Sequence, residues 1–494
     1  MAMGRRHHRE RQEDLWVAHG QLASAPGHPF YERLNAVLDA EGFDRFVEDR
    51  CAKFYAARFG RRSLTPGIYF RSLLIGYFEG IGAERGIAWR LADSLALRRF
   101  VGIALDEDTP DHSTLSRTRR LIDLETHEAV FGWVLEVLAR RGLIVGKCVA
   151  VDATTLEANA AMRSIVRRDT GASYEEFLTG LAQASGIETP TREDLARLDR
   201  KRKKRTSNKD WKSPVDEDAR VAKMKDGRTH LAHKAEHAVD LDTGAVVAVT
   251  LQAADKGDTT TLDRTLTEAG AAVANLAARQ LEQPCNDAKV NLKGIEELVT
   301  DKGYMSGAVL TRVKRYGLRS YIPEKQQTGK RHWQGNAEEQ RATYDNRRRV
   351  RGHHGKSLLK RRGELVERSF AHCYETGGLR RCHLRGRENI LKRQLTHVSA
   401  FNLSLVMRNL LGAGTPRELN NRAAKLIACL FRWLTRRNKS HNPEELRKAT
   451  PPGAKENNRP QYSVTSRYRI AILAPRAAKE GAFGGQGRAM RYMF

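Results

Sequence analysis

Three acidic residues stand where the surrounding apolar residues would bury them: Asp152, Asp301 and Glu367. The first two end short β-rich runs at 147–152 and 294–300, and the third lies on a helical pattern. Burying a carboxylate is costly unless positive charge compensates it. Carboxylate oxygens suit Mg²⁺ or Mn²⁺, and two such ions about 3.5–4 Å apart can assist a phosphoryl displacement. The three residues therefore predict a two-ion site that acts on phosphate esters.

The third position has a competitor on the same helix. Glu364 precedes Glu367 by three residues, but Val366 and Phe370 flank Glu367 and favour it. Each acid alone also has an ordinary structural explanation, because Asp after a strand is commonly a turn residue and Glu on a basic helix commonly forms a surface ion pair. Asp258 is a candidate auxiliary acid, but it begins a predicted helix, and capping explains it adequately.

The chain carries a large positive charge. Its 494 residues include 87 Lys and Arg against 59 Asp and Glu, which gives a net charge of +28 and a pI near 10.1. This balance indicates a polyanionic partner and is typical of a nucleic-acid-binding protein. An anionic membrane is the alternative, but no amphipathic basic helix, lipidation signal, signal peptide or membrane-spanning apolar run is present. We therefore expect a cytoplasmic DNA-binding protein with no membrane association.

The elements that precede the first acid are predicted to be helices. Residues 1–30 are polar and basic and are expected to be flexible, whereas 31–142 carry a helical pattern. Within that range two short helices precede a third, which begins after Pro110 and carries Arg117 and Arg119. This arrangement is typical of a helix-turn-helix unit, so we expect an all-α N-terminal DNA-binding domain. A helical dimerisation or packing domain is the alternative.

After Gly146 the periodicity changes, and the remainder predicts a mixed α/β fold. Apolar β-rich runs alternate with amphipathic helices, which favours a five-stranded mixed sheet flanked by helices. The expected strands are 147–152, 231–239, 245–251, 294–300 and 319–323. Polar stretches at about 160–228 and 325–357 are predicted to be insertions in a catalytic domain of residues 146–411. Residues 412–494 are expected to form a basic C-terminal helix and tail.

Six segments, in this order, resemble bacterial insertion-sequence transposases of the DDE class. They are 90–94, 110–117, 151–154, 301–304, 366–370 and 402–410. The resemblance covers roughly 31–411 and implies an RNase H-like (retroviral-integrase-like) catalytic core. It assigns Asp152, Asp301 and Glu367 to the three metal-ligand positions. Gly363 stands where many relatives carry an arginine four residues before the last acid.

This resemblance implies a DNA transposase that uses Mg²⁺ or Mn²⁺, expected as two ions. Such an enzyme acts on double-stranded DNA and binds the terminal inverted repeats of its element. It hydrolyses a phosphodiester to free a 3′-OH and joins that end to target DNA by in-line transesterification. Bringing two ends together implies a homodimer or a larger assembly. Phosphate contacts would supply most of the affinity, and the N-terminal helix the base readout. The expected DNA-binding residues are Arg117, Arg119, Lys302, Lys356, Arg361, Arg368 and Arg381.

Two other functions are alternatives to the transposase. A decayed or regulatory copy would bind DNA without metal-dependent nicking, and the presence of all three acids argues against it. A serine or tyrosine recombinase would be trapped covalently on DNA, and no Arg/His/Tyr cluster in the sequence supports it. The sequence leaves open whether the second DNA strand is cut through a hairpin.

Overall fold

The computed structural model describes most of the chain between residues 27 and 427. The described ranges are 27–56, 63–202, 206–224, 227–326, 333, 335–422, 424 and 427. The predicted basic N-terminus before residue 27, most of the expected C-terminal helix and the tail lie outside these ranges. No helix within them is both long and apolar enough to cross a membrane.

Helices make up the described part of the chain before the sheet. They are α1 Pro29–Ala40, α2 Phe43–Cys51, α3 Pro66–Glu79, α4 Glu84–Ala92, α5 Leu95–Val101, α6 His112–Leu121 and α7 Leu124–Arg140. α3 is buried on nearly all sides and is the central helix of this group. α6 begins as the sequence predicts, because the Asp111 carboxylate caps it by accepting a hydrogen bond from the Thr114 N–H (2.6 Å).

The strands form one mixed sheet and a short separate ribbon. They are β1 Cys148–Glu157, β2 Val166–Arg167, β3 Trp211–Lys212, β4 Arg220–Lys223, β5 Thr229–Asp240, β6 Val246–Ala253, β7 Glu297–Thr300 and β8 Arg319–Tyr321. β1 pairs antiparallel with β5 and parallel with β7; β6 returns from β5, and β8 follows β7 in parallel. All five predicted strands are present, which confirms the mixed α/β prediction. β4, from the predicted insertion, adds a sixth strand beside the start of β5.

The later helices flank this sheet and fill the insertions. They are α8 Tyr174–Ala184, α9 Arg192–Lys201, α10 Asp258–Glu282, α11 Gly307–Arg315, α12 Ala337–Arg351, α13 His353–Phe370 and α14 Arg387–Leu411. α12 and the start of α13 occupy the stretch 325–357 that the sequence predicts as a polar insertion. α13 continues into a π-helical turn at Ala371–Thr376 and ends at Gly377, as predicted.

The central strand is longer than the sequence predicts. β1 continues to Glu157 beside the long β5, so Asp152 lies within the strand, and the prediction that it ends the strand is wrong. Asp301 directly follows β7, as predicted. β1 and β7 pair only as far as Val151 opposite Thr300. Asp152 and Asp301 are therefore the next residues along two neighbouring parallel strands.

One hydrophobic core runs through the N-terminal helices and the sheet. α14 joins the two parts, because it is buried on nearly all sides and packs against α3, α7 and β6. The Asn402 side chain bonds the N–H and the carbonyl of Val246 in β6 (2.9 and 2.8 Å). Residues 158–231 contribute a second, small core around Trp211.

Candidate active site

α13 covers the face of the sheet that carries Asp152. Residues opposite one another in antiparallel strands share a face, and Asp152 lies opposite His237 of β5. The buried His237 ring contacts Ser369 Oγ (3.0 Å) and Tyr374 Oη (3.1 Å). Burial lowers the pKa of His237 to about 3, so the ring is neutral. These contacts fix the end of α13, and with it Glu367, beside the strand of Asp152.

The Asp152 carboxylate is held by a cation from α13. Arg362 donates to its Oδ2, and the Ala153 N–H donates to its Oδ1 (2.8 Å). Burial raises the pKa of Asp152 to about 6; Arg362 and the Ala153 N–H oppose this rise, and the charges of Asp301 and Asp258 add to it. The carboxylates of this region therefore repel one another, and Asp152 takes up a proton readily. A bound cation would reduce this repulsion.

The structure separates the two candidates for the third acid. Glu367 and Asp152 line the same cavity of about 650 Å³ beside β1 and the end of α13. Glu364 instead forms an ion pair with Arg368 one turn later (2.6 Å). Both glutamates are exposed, so the prediction that apolar neighbours bury Glu367 is wrong. Of the two, it is nevertheless Glu367 that shares a cavity with Asp152.

Asp301 borders a different cavity. It precedes the short 3-10 turn 302–304, and its Oδ1 accepts a hydrogen bond from the Gly303 N–H (2.8 Å). The second cavity, also about 650 Å³, is lined by residues of this turn and of 324–326. The three predicted acids are thus not gathered in one cavity, although Asp301 is near enough to Asp152 to raise its pKa.

Asp258 lies close to Asp301, and the prediction that capping explains it is wrong. Gly257 takes the cap position of α10, and the Asp258 carboxylate instead accepts a hydrogen bond from Lys234 Nζ (2.7 Å). A Cβ at Gly303 would lie 2.4 Å from Asp258 Oδ2 and 2.8 Å from Asp301 Oδ1, so both carboxylates converge on this glycine. The sequence signal that points to Asp258 is Lys234, because a lysine within an apolar strand needs an acidic partner.

The predicted DNA contacts differ in their surroundings. Four are exposed to solvent: Arg117, Lys302, Lys356 and Arg381. Arg361 and Arg368 are partly exposed, and each already has an acidic partner, Asp242 and Glu364 respectively. These six residues remain predicted DNA contacts, with the two paired arginines less available than the exposed four.

Arg119 is the exception among these residues. It lies on the buried face of α6, donates to Glu84 of α4 and Asn389 of α14, and is only 8% exposed. Breaking such a buried pair leaves an uncompensated charge and is strongly destabilising. We therefore withdraw Arg119 as a DNA contact and regard it as a link between α6, α4 and α14.

The four acids have the right ligand type for a hard divalent cation, but they are not arranged around a common position for one. All four acids offer carboxylate oxygens, which Mg²⁺ and Mn²⁺ prefer. Among the described residues, no group of three Asp, Glu, His or Cys side chains is close enough to hold one ion. Asp152 is engaged by Arg362, and Asp258 by Lys234. Binding an ion would require these carboxylates to leave their cations in part.

Two comparisons with protein families give matches. The family model described as "Transposase DDE domain" matches residues 147–403, which run from the start of β1 into α14 and include all four acids. The model described as "Transposase domain (DUF772)" matches residues 19–121, which include α1 to α6. No curated protein and no solved structure matches the chain significantly.

Proposed function

Because the chain belongs to the transposase DDE domain family, whose model matches more than half of its residues, we propose that it cuts and joins DNA with Asp152, Asp301 and Glu367. Membership of this family implies that the protein acts on DNA, and the charge of +28 agrees with that. The observation that carries the proposal is that Asp152 and Glu367 share a cavity while Asp301 follows the neighbouring strand.

The order of the strands supports an RNase H-like core. β6, β5 and β1 are successive antiparallel neighbours, and β7 and β8 continue the sheet in parallel with β1. Under this proposal Asp152 and Asp301, which follow the β1–β7 pairing, would act together with Glu367 of α13, although Asp301 borders a separate cavity. We further propose an N-terminal DNA-binding domain over 31–142 and a catalytic domain over 146–411.

In the proposed reaction, Asp152, Asp301 and Glu367 would hold one or two Mg²⁺ or Mn²⁺ ions. The ions would supply Lewis acidity for the attacking and leaving oxygens of an in-line displacement. Arg362 keeps Asp152 compensated before DNA arrives, and the exposed cations Lys302 and Lys356 would bind phosphates. Joining two ends of one element would then require two or more copies of the chain.

The test is cleavage of DNA that carries the sequences flanking the gene. The full chain is incubated with this DNA and Mg²⁺, and nicks and joined products are scored on gels. Asp152→Asn and Glu367→Gln should each abolish both products. Glu364→Gln, which removes the glutamate that does not line the Asp152 cavity, should retain them. Full activity of the Asp152 variant would sink the proposal. Binding without any cleavage by the unaltered chain would indicate the non-catalytic DNA-binding alternative.

A further inference from the structure

A fully buried carboxylate lies beneath the site on the opposite face of the sheet. Glu236 of β5 is 0% exposed and lies opposite Ala153, next to the pair of Asp152 and His237. Its neighbours in sequence therefore face α13, while Glu236 faces α10. A carboxylate in this position is tolerated only if several donors satisfy it.

Five donors surround this carboxylate, and they come from four different segments. They are Tyr304 Oη (3.1 Å), Thr265 Oγ1 (2.6 Å), Thr261 Oγ1, Gln252 Nε2 (3.2 Å) and Lys234 Nζ (3.2 Å). Glu236 accepts hydrogen bonds from the first four and forms an ion pair with Lys234. Such a fully satisfied network is rigid, because moving one partner leaves a buried charge short of a donor.

Two of these four segments lead to an acid of the proposed site. Tyr304 ends the turn that begins directly after Asp301. Thr261 and Thr265 lie in the first two turns of α10, whose first residue is Asp258. Lys234, which also contacts Glu236, donates to Asp258 as well (2.7 Å).

These two acids are held close together although they repel one another. Both point at Gly303, which has no room for a side chain between their oxygens. The contacts that offset this repulsion are made with Glu236 and Lys234. Tyr304 and the threonines of α10 bond Glu236, and Lys234 forms an ion pair with Asp258.

We infer that Glu236 is a positioning residue that fixes Asp301 and Asp258 relative to one another, and so sets the spacing at which the two carboxylates can meet a divalent cation. This rests on the proposed function, because it assigns a supporting shell to the same site. The Tyr304 hydroxyl is the link from Glu236 to Asp301, and Lys234 is the link to Asp258.

The test compares two buried Glu–Tyr pairs in one protein. Glu297 accepts a hydrogen bond from Tyr321 Oη (3.0 Å) and is also buried, but its partners Tyr321 and His354 do not adjoin a site acid in sequence. Glu236→Gln and Tyr304→Phe are therefore matched by Glu297→Gln and Tyr321→Phe. Mn²⁺ binding to the full chain without DNA is measured by calorimetry, and melting temperature is recorded for each variant.

Glu236→Gln and Tyr304→Phe should weaken Mn²⁺ binding by about 10- to 100-fold, as loss of a supporting residue around a metal site commonly does. The two control variants should bind Mn²⁺ as the unaltered chain does, even where their melting temperatures fall. Equal Mn²⁺ affinity in folded Tyr304→Phe would overturn the inference, and this single-hydroxyl change keeps the test valid if Glu236→Gln does not fold. An unaltered chain that binds no Mn²⁺ and cuts no DNA would overturn the proposed function itself.

Discussion

The ion pair between Arg362 and Asp152 directly affects the protonation of the Asp152 carboxylate. Arg362 stands one position before Gly363, where the resemblance implies an arginine, and its guanidinium reaches the carboxylate from α13. This cation opposes the burial that raises the pKa of Asp152 to about 6. An ion can bind Asp152 only when the carboxylate is deprotonated.

Replacing Arg362 should therefore shift the pH range of activity. In Arg362→Ala the pKa of Asp152 rises above about 6, because the opposing charge is gone while burial remains. The acid limb of the cleavage rate should move to higher pH in this variant. Lys360→Ala, which removes an exposed cation from the same helix, is the control and should leave the limb in place. An unshifted limb in Arg362→Ala would contradict the role given to this contact.

At the scale of the elements, the turn after β7 and the start of α10 approach one another closely at Gly303. In Gly303→Ala the new methyl group would meet Asp258 Oδ2 at 2.4 Å and Asp301 Oδ1 at 2.8 Å, so the two carboxylates must shift from their present positions. We expect DNA cleavage to fall by at least about tenfold, because small displacements of catalytic groups are costly.

The control for this change lies in α10 itself. A Cβ at Gly270 would meet open space, so Gly270→Ala should keep full activity and gain up to about 1 kcal/mol of stability from helix propensity. Cleavage assays and thermal melts separate the two effects. A Gly303→Ala variant as active as Gly270→Ala would show that the approach of the two carboxylates does not matter.

The sequence predicts those elements that depend on residues close together in the chain. The five strands and the Asp111 cap follow from residue types a few positions apart, as does the helix of Glu367. The length of β1 was not predictable, because its polar second half is stabilised by pairing with β5 far along the chain. The role of Asp258 depends on Lys234 and Gly303, which only the fold brings together.

For the whole molecule, the excess positive charge predicts strongly salt-dependent DNA binding. Each cation that contacts a phosphate contributes about one unit to the slope of log affinity against log salt. Arg381→Ala should therefore lower this slope by about one on any duplex, as should Lys356→Ala, since both side chains are exposed. Arg45→Ala removes an exposed arginine of α2 outside the predicted contacts and should leave the slope unchanged. Equal slopes for all three variants would contradict the predicted contacts.

Buried neutral histidines should also make the whole fold sensitive to acid. Burial lowers the pKa of His127 to about 4 and the pKa values of His237 and His397 to about 3. In the unfolded chain each would titrate near its ordinary pKa of about 6.5. Below that pH the unfolded state binds protons that the folded state does not, so stability is lost progressively as the pH falls from about 6.5 towards the folded-state pKa values.

Each of these histidines should cost about 1 kcal/mol of stability per pH unit in this window. The raised pKa of Asp152 works in the opposite direction, because a protonated Asp152 favours the folded state below pH 6. Burial also raises the pKa values of other carboxyl groups, which act in the same sense (Glu128, Glu136, Asp240 and Glu268), whereas the lowered pKa of His372 adds to the loss. Urea unfolding of the unaltered chain should therefore show lower stability at pH 5.5 than at pH 7.5. His127→Gln loses packing at both pH values, yet its stability should fall less between them, because one of the three linked protons is gone. An identical fall in both proteins would show that His127 takes up its proton in the folded state, contrary to its burial against Tyr69 and the Asp123 carbonyl.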